Sequence, residues 1–280
     1  MKLKSWLQEA KQQVSSLDAE LIAVSALGFT GRTDIILHWD EQYDFSEADE
    51  KVKKRASGIP MAYILGYKEF FGRNFKVNSN VLIPRPETEQ IIISALGIVD
   101  VEKMEDVSII DVGTGSGCIP ITLKLELNEE GVMSNVAGTD VSAPALEVAE
   151  ENANELIADV KFFRSDLMVS IEKLPDIITA NLPYVDKSWD WTSPELKYEP
   201  ALALYAEDDG LIFIKRLIDE VYTMREEENE SKTFVEGMNE KPKFLILEAD
   251  TSQHDIIIEY AKERKFELIS RNQFVLTMRY

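Results

Sequence analysis

The residues of this sequence best suited to chemistry are Asn181, Leu182, Pro183 and Tyr184, which directly follow an apolar run. The side-chain oxygen of Asn181 and a neighbouring main-chain carbonyl can together accept both hydrogens of a planar NH2 group. Pro183 stiffens the turn, and the ring of Tyr184 can pack against a flat substrate group. We therefore predict that Asn181, Pro183 and Tyr184 are catalytic and that all four residues bind the substrate. A turn that only ends a strand would suit the same residues, because proline lacks an N–H group and asparagine tolerates turn geometry.

A glycine-rich loop lies upstream, between a predicted strand at residues 107–112 and a helix predicted from about Cys118. Residues 113–117 have the sequence Gly-Thr-Gly-Ser-Gly, and the N–H groups of such a loop, with the dipole of the following helix, can bind a polar ligand. The dinucleotide pattern G-x-G-x-x-G is not completed, because Cys118 and Pro120 stand where the last glycine would be. With Asp111 before it, the loop resembles the first motif of class I S-adenosylmethionine-dependent methyltransferases.

Polar residues also follow the next three predicted strands, which are residues 135–139, 160–164 and 175–180. Asp140 is placed to hold ribose hydroxyls, Asp166 to accept a hydrogen bond from an adenine amine, and Asn181 to bind the substrate. Because the carboxyl ends of parallel strands share one sheet edge, we expect these residues to lie together. The predicted cofactor-binding residues are Asp111, Gly113, Thr114, Gly115, Ser116, Gly117, Asp140, Asp166, Leu167 and Asn181.

The N-terminal third has a different sequence pattern. Apolar residues recur at three- and four-residue steps from Leu3 to about Arg55, which predicts short helices, with Ser16 as an N-cap and Gly28 as a C-cap. An aromatic, glycine-punctuated stretch follows and predicts a β-hairpin. The helical module can serve either packing or the recognition of a macromolecular substrate, and the sequence does not choose between these roles.

The C-terminal part completes an α/β sheet. We predict helices at about 209–226 and 252–262, a strand at 244–248, and a closing hairpin of strands 266–269 and 274–278. Residues 225–241 lack apolar periodicity, which predicts a solvated loop. The predicted fold is therefore a Rossmann-like, seven-stranded class I methyltransferase domain at residues 85–280. It follows a helical substrate-recognition domain at 1–66 and a hairpin connector at 67–84.

Arg85 stands between two prolines that hold the backbone extended before a helix expected from about Glu87. The arginine is either a solvated residue of a rigid linker or a contact to ligand from a stiff platform. We include Arg85 among the predicted substrate-binding residues.

The composition restricts the possible partners. The chain has 280 residues and a formal charge of −21, which should repel phosphate backbones, so we expect no direct nucleic acid partner. One cysteine, Cys118, permits no intrachain disulfide and favours the cytoplasm. No run of residues approaches membrane-spanning length. His38 and His254 lack metal-ligand spacing, so we predict no metal, and we expect a monomer.

Taken together, these stretches make the chain resemble the release-factor glutamine methyltransferases of the PrmC/HemK family. The two most specific are Gly-Ile-Pro-Met-Ala-Tyr-Ile-Leu-Gly at 58–66 and Ile-Pro-Arg-Pro-Glu-Thr-Glu at 83–89. The resemblance covers nearly the whole chain and also includes residues 18–21, 69–72, 113–117, 181–184, 198–200 and 209–211.

The resemblance implies methyl transfer from S-adenosylmethionine to the side-chain amide nitrogen of the glutamine in the Gly-Gly-Gln motif of peptide-chain release factors. It implies that residues 113–117, Asp140 and the region of Asp166 bind S-adenosylmethionine, that residues 181–184 grip the amide, and that the N-terminal helical domain engages the release factor. S-adenosylhomocysteine would be the product.

The chain departs from the family pattern at four places. Leu182 stands where the family usually has a proline, and Leu167 where an aromatic residue is common. Ala206 and Glu207 replace a usual glycine pair, and Asp250 replaces a glycine. None of these changes touches the proposed hydrogen bonds, but they weaken the substrate assignment more than the fold assignment.

Three other hypotheses remain at this point. The Asn-Leu-Pro-Tyr stretch also resembles that of ribosomal RNA adenine dimethyltransferases, so an adenine N6-methyltransferase acting on RNA or DNA is the main alternative; the acidic charge argues against it. A non-catalytic S-adenosylmethionine-binding module would not need Asn181 and Pro183. An NAD-dependent oxidoreductase is disfavoured by the glycine spacing.

Overall fold

The computed structural model describes residues 1–189, 195–231 and 242–280. The described residues form two compact units, one of residues 1–68 with 195–198 and one of the remaining residues from 69 onward. Within these ranges, no helix is both long and apolar enough to cross a membrane.

The first unit is helical, as predicted. Its helices are α1 (Leu3–Ala10), α2 (Ser16–Leu27), α3 (Arg32–Leu37), α4 (Ser46–Ala56) and α5 (Met61–Leu65), with a 3-10 turn at Leu196–Tyr198. Trp6 is buried, stacks on Phe45 with ring centroids 4.8 Å apart, and donates its indole N–H to Asp49 at 2.7 Å. The apolar stripe read from the sequence is therefore the core of this unit.

The two predicted caps of α2 have different outcomes. Gly28 ends the helix in the left-handed conformation, with φ of 66°, and this prediction is confirmed. The prediction of Ser16 as N-cap is wrong by one residue, because Ser15 has the extended backbone and its hydroxyl accepts the Asp18 N–H at 3.1 Å. Ser16 is the first helical residue, and its hydroxyl donates to Glu20 at 3.2 Å.

A small hairpin follows, formed by β1 (Tyr67–Phe70) and β2 (Arg73–Lys76) as a separate two-stranded sheet. Phe70 and Phe75 are buried and meet edge to face at 6.0 Å. The predicted hairpin is confirmed, and its strands are shorter than the aromatic stretch.

The second unit contains the predicted seven-stranded sheet. After a 3-10 turn at Pro86–Thr88, its elements are α6 (Glu89–Val101), β3 (Asp106–Val112), α7 (Cys118–Glu129), β4 (Met133–Asp140), α8 (Ala143–Glu155), β5 (Lys161–Arg164), β6 (Ile177–Ala180), a 3-10 turn at Ala201–Ala203, α9 (Ile212–Ser231), β7 (Phe244–Glu248), α10 (His254–Glu263), β8 (Glu267–Arg271) and β9 (Val275–Arg279).

The strand order is β5-β4-β3-β6-β7-β9-β8, in which β9 is antiparallel to β7 and β8. The other neighbouring strands are parallel, so β3, β4, β5, β6 and β7 present their carboxyl ends at one edge. Alternate residues of β7 enter two apolar clusters, Phe244 and Ile246 in one, Leu245 and Leu247 in the other. The central strands β6 and β7 are therefore buried on both faces, which explains their continuous apolar runs.

The prediction of a loop at 225–241 is wrong for its first part, because α9 continues to Ser231. This last part of the helix has no apolar face, and a polar residue in it is held instead by contacts with distant parts of the chain. Glu228 accepts the Leu174 N–H at 2.9 Å and pairs with Lys243 at 3.1 Å. Residues 232–241 lie outside the described residues.

Candidate functional site

A cleft lies at the carboxyl ends of the parallel strands in the second unit. Its walls come from the glycine loop after β3, from the ends of β4, β5 and β6, and from the segment before α6. The predicted site residues that line it are Arg85, Gly113, Thr114, Gly115, Ser116, Asp140, Asp166, Leu167, Asn181, Leu182 and Pro183. Asp111, Gly117 and Tyr184 do not line it. The sheet-edge argument thus places eleven of the fourteen predicted residues around one cleft.

The glycine loop needs its glycines for two different reasons. Gly113, Gly115 and Gly117 all have positive φ, at 76°, 53° and 77°. A Cβ on Gly117 would lie 2.9 Å from Ile121, whereas a Cβ on Gly115 would meet nothing within 4 Å. The main chain at Gly115 therefore borders open space in the cleft, which is the cradle that an approaching polar ligand requires.

Asp140 is a fixed acceptor at the end of β4. Its Oδ2 accepts the Gly115 N–H at 2.9 Å, and its Oδ1 accepts the Ser142 N–H at 2.9 Å. Burial raises the pKa of Asp140, and the backbone hydrogen bonds from Ser142, Gly115 and Val141 oppose that rise. The carboxylate thus holds both the glycine loop and the start of α8 while bordering the cleft.

Asp166 and Leu167 follow β5. Asp166 is exposed, and its carboxylate pairs with Arg216 at 3.1 Å. Leu167 is buried in the second apolar cluster and has a positive φ of 49°. Both residues line the cleft, so the third strand end contributes one polar and one apolar surface.

Asp111 is buried beneath the cleft. Its Oδ1 accepts the Thr179 hydroxyl at 2.7 Å, which links β3 to β6 across the sheet. Its predicted contact with a cofactor is therefore replaced here by a contact with the neighbouring strand. Burial raises the pKa of Asp111 to about 7, against hydrogen bonds from Thr179 and Thr114.

A consequence is that Asp111→Asn should change the pH dependence of stability. A raised carboxyl pKa means that the folded state binds more protons than the unfolded state, so the wild type should lose stability as pH rises from about 4 to 7 and level off above 7. Each pKa unit corresponds to about 1.4 kcal/mol. The asparagine keeps the oxygen that Thr179 needs and removes the charge.

We expect the variant to be more stable than the wild type at pH 8 and to lose this advantage at pH 4.5. Urea unfolding at both values, with an unchanged slope against denaturant, measures the difference. A constant difference across the range would mean that Asp111 is already ionised in the fold.

Arg85 is half-buried and forms an ion pair within the fold. Its Nη2 pairs with Oε1 of Glu199 at 2.6 Å, and Oε2 of the same carboxylate accepts the Ile83 N–H at 3.1 Å. Glu199 is buried, so Arg85 balances a charge that would otherwise be costly. The pair holds the proline-flanked segment against the turn before Ala201–Ala203 while Arg85 still lines the cleft.

The loop after β6 is held by side chains from distant parts of the chain. Asn181 donates its Nδ2 to the Thr88 hydroxyl oxygen at 3.0 Å, and Tyr184 donates its hydroxyl to Glu248 Oε1 at 3.2 Å. Gln253 donates its Nε2 to Tyr184 O at 2.9 Å. The loop is therefore fixed at its first and last residues.

Tyr184 points away from the cleft lining toward a buried carboxyl group. Burial raises the pKa of Tyr184, and the charge of Glu248 raises it further, so the hydroxyl stays protonated. The predicted stacking of this ring on a substrate does not follow from its position, and its observed contact is with Glu248.

Three residues of this arrangement are missing from the sequence prediction: Thr88, Glu248 and Gln253. Glu248 had a usable signal, because it ends an apolar strand at the same sheet edge as Asp140 and Asn181. Thr88 and Gln253 had none, since they lie 93 and 69 residues from the loop residues that they bind.

No group of three or more metal-binding side chains occurs in the described part of the chain. His254 is buried, and its Nε2 lies 3.3 Å from Ala249 O. His38 lies in the first unit, 3.0 Å from Glu41 and stacked on Phe29.

Two family models match the chain. The Methyltransferase small domain matches residues 92–193, and the PrmC N-terminal domain matches residues 2–66. The first match contains the glycine loop and the Asn181 loop, and the second contains the helices of the first unit.

Similar proteins carry one name. A release factor glutamine methyltransferase of Bacillus cereus is 38% identical over 201 residues, covering 68% of this chain and 69% of that protein. The protein of that name from Nitratidesulfovibrio vulgaris is 39% identical over 223 residues, covering 76% of this chain and 73% of that protein. The one from Bacillus subtilis is 40% identical over 189 residues, covering 65% and 63%.

Among solved structures, the catalytic domain of hMettl16 aligns with a TM-score of 0.51 at 16% identity, covering 82% of this chain and 81% of that one. At this identity the likeness concerns the fold alone, and it agrees with a methyltransferase sheet.

Proposed function

The chain belongs to the release factor glutamine methyltransferases, and we propose that it transfers a methyl group from S-adenosylmethionine to the side-chain amide nitrogen of the Gly-Gly-Gln glutamine of a release factor. The observation that carries this proposal is the Asn181 loop, held at the sheet edge beside the glycine loop and bordering the same cleft.

The residues of the cleft suit the cofactor. The open main chain at Gly115 fits a close polar approach, and Asp140 offers carboxylate oxygens beside it. Leu167 adds an apolar surface at the end of β5. We propose that these residues bind S-adenosylmethionine, which when bound supplies an electrophilic methyl group on a sulfonium. Asp111 and Gly117 support the loop from beneath.

The side-chain amide of Asn181 is oriented to accept a hydrogen bond from the substrate. Because its Nδ2 donates to Thr88, its Oδ1 is the part of the amide left to receive a hydrogen bond from the substrate. The carbonyl of Leu182 accepts none of the hydrogen bonds made within the described ranges, and it provides the second acceptor. Two acceptors at one NH2 group fix the direction of the nitrogen lone pair, and such fixation supplies much of the rate. The bond from this nitrogen to the methyl carbon would form as the carbon–sulfur bond of the sulfonium breaks, and the nitrogen would release one proton to solvent, so a strong general base is not needed.

Leu182 fits this role although the family usually has proline there. Its side chain is buried and lies against the glycine loop, where a Cβ on Gly113 would come within 2.9 Å of Leu182 Cδ2. Leu182 thereby packs the substrate loop on the cofactor loop. Packing of this kind can replace the stiffness that a proline would give.

We further propose that the helical first unit recognises the release factor, that the protein works as a monomer in the cytoplasm, and that nucleic acid is not its substrate. The net charge of −21 supports the last point, because a nucleic acid substrate requires a basic surface.

The proposed function is tested by a transfer assay with S-adenosylmethionine labelled in its methyl group. The acceptors are a release factor, its variant with the Gly-Gly-Gln glutamine changed to alanine, and ribosomal RNA. We expect label on the wild-type release factor alone. Label on RNA but not on the release factor would favour the adenine alternative, and label on neither would favour a binding module.

A further inference from the structure

Glu248 is a buried carboxyl group that the mechanism has not used. It ends β7 at the edge where the other strands place their site residues, and it is only 2% exposed. Its Oε1 accepts the Tyr184 hydroxyl, while Oε2 is buried without a hydrogen bond of ordinary geometry to any described group. Burying such a group is costly unless nearby donors compensate.

The hydroxyl group of Thr88 is the donor best placed to hydrogen-bond to Glu248. It stands at the start of α6, where a threonine side chain commonly caps the helix, but its side chain makes no capping bond. Instead its oxygen accepts a hydrogen bond from Asn181, which leaves its own proton to be donated elsewhere. Thr88 and Asn181 both lie near enough to Glu248 to lower the pKa of its carboxyl group by hydrogen bonding.

We propose that Glu248 is a positioning residue that, by taking the Thr88 hydroxyl proton, fixes the amide of Asn181 with its oxygen toward the cleft. An ionised Glu248 only accepts, so Thr88 must turn its proton to Glu248 and its lone pair to Asn181 Nδ2. A protonated Glu248 can donate to Thr88 instead. The hydroxyl proton of Thr88 is then free to point at Asn181, which favours the opposite amide orientation. The substrate NH2 group would lose its acceptor.

The charge state of Glu248 therefore sets the orientation of the Asn181 side-chain amide. Burial raises the pKa of Glu248 to about 7, and hydrogen bonding from Thr88, Tyr184 and Asn181 opposes the rise. Glu87, in the turn before α6, raises it by repulsion. Of the other titratable groups around Glu248, Tyr184 and Cys118 stay neutral at this pH, because the pKa of Tyr184 lies above its ordinary value and burial raises that of the Cys118 thiol to about 12. Asp250 and Arg85 also act on the Tyr184 hydroxyl that bonds to Glu248, since the charge of Asp250 raises the pKa of Tyr184 and that of Arg85 lowers it. Turnover should rise with pH and level off above about 7.

The kinetic test compares the wild type with Glu248→Gln. Glutamine has nearly the same shape and carries an NH2 donor, so it imitates the protonated carboxyl at every pH. We expect kcat to fall by about 10- to 100-fold, a range taken by analogy from residues that orient the ligands of metal sites through hydrogen bonds. Its pH profile should lose the step near 7. Calorimetric affinity for S-adenosylmethionine should stay within about twofold, because Glu248 does not line the cleft. Asp111→Asn removes another buried carboxyl group whose pKa is raised and, whatever its rate, should keep the wild-type midpoint.

Thr88 provides a matched pair. Thr88→Ser keeps the hydroxyl and should retain the pH step, while the equally sized Thr88→Val removes the hydroxyl and should lower kcat and abolish the step. Equal kinetics of these two variants, or a Glu248→Gln enzyme with the wild-type profile, would overturn the proposal.

A readout without turnover separates this inference from the proposed function, on which only its kinetic part rests. The NMR signals of the Asn181 side-chain amide, assigned by their loss in Asn181→Ala, should titrate near pH 7 in the free protein. Glu248→Gln and Thr88→Val should remove the titration, and Thr88→Ser should keep it. A titration that persists in Glu248→Gln would show that Asn181 responds to another group.

Discussion

Asn181→Ala is expected to lower kcat by about 10²- to 10³-fold while the affinity for S-adenosylmethionine changes by no more than about twofold. The magnitude is that of removing one fixed polar group which acts on the reacting centre. The asymmetry follows from geometry, because Asn181 Oδ1 is left over after the bond to Thr88, whereas the glycine loop and Asp140 provide the cradle for the cofactor. Single-turnover rates with a release factor and calorimetric titration of S-adenosylmethionine measure the two effects.

The control is Asn154→Ala, which removes the same side chain from an exposed position on α8. Exposed substitutions of this kind change stability by about 0.5 kcal/mol or less, so wild-type rates and affinity are expected. If Asn181→Ala lowered the affinity for S-adenosylmethionine and the rate by the same factor, Asn181 would act chiefly on the cofactor. Asn181 is also one of the predicted cofactor-binding residues.

Gly210→Ala is expected to cause the largest loss of stability. Gly210 has φ of 82°, and a Cβ there would overlap the carbonyl oxygen of Tyr184 and lie 2.7 Å from its carbonyl carbon. Backbone atoms cannot swing aside as a side chain can, and Gln253 holds this carbonyl at 2.9 Å. We expect a loss of about 3–5 kcal/mol in the free energy of unfolding, in the range of severe buried substitutions.

The same change should also reduce activity in the protein that remains folded, because relief of the overlap moves Tyr184 and with it the Asn181 loop. Gly131→Ala is the matched control. Gly131 has φ of 75°, but a Cβ there meets nothing within 4 Å, so only the left-handed backbone penalty of about 1–2 kcal/mol applies. Urea unfolding of the two variants separates the overlap from the penalty, and equal losses would contradict the proposed close approach.

The sheet was predictable because each of its strands carries a local signal. The apolar run of β7 gives the observed bounds Phe244–Glu248, and Gly28 marks the end of α2 as a left-handed residue must. Once the strands were ordered by the parallel α/β pattern, their polar ends were expected at one edge. This general rule brought Asp140 and Asn181 to one cleft.

The direction of side chains within that edge was not predictable. Asp111 stands one residue before the end of β3 and bonds to Thr179 on the next strand, so it lies beneath the cleft rather than in it. The strand assignment gave its position but not its partner. Tyr184 likewise turns to Glu248, because a buried carboxyl group needs a donor and the tyrosine hydroxyl provides one.

Contacts between residues far apart in the chain could not be predicted from the sequence, for a different reason. Thr88 and Asn181 are 93 residues apart, and neither residue type specifies the other. The N-cap of α2 was also mispredicted, because Ser15 and Ser16 are adjacent and either serine can cap a helix. Only the backbone angles decide between them.

The central claim is that the Asn181 loop directs a methyl group to one amide nitrogen. Its most direct measurement is tandem mass spectrometry of a release factor after reaction with the wild-type enzyme and with Asn181→Ala. We expect one added methyl group on the side-chain amide of the Gly-Gly-Gln glutamine, present with the wild type and nearly absent with the variant. A methyl group at another residue, or equal methylation of that glutamine by both enzymes, would contradict the claim.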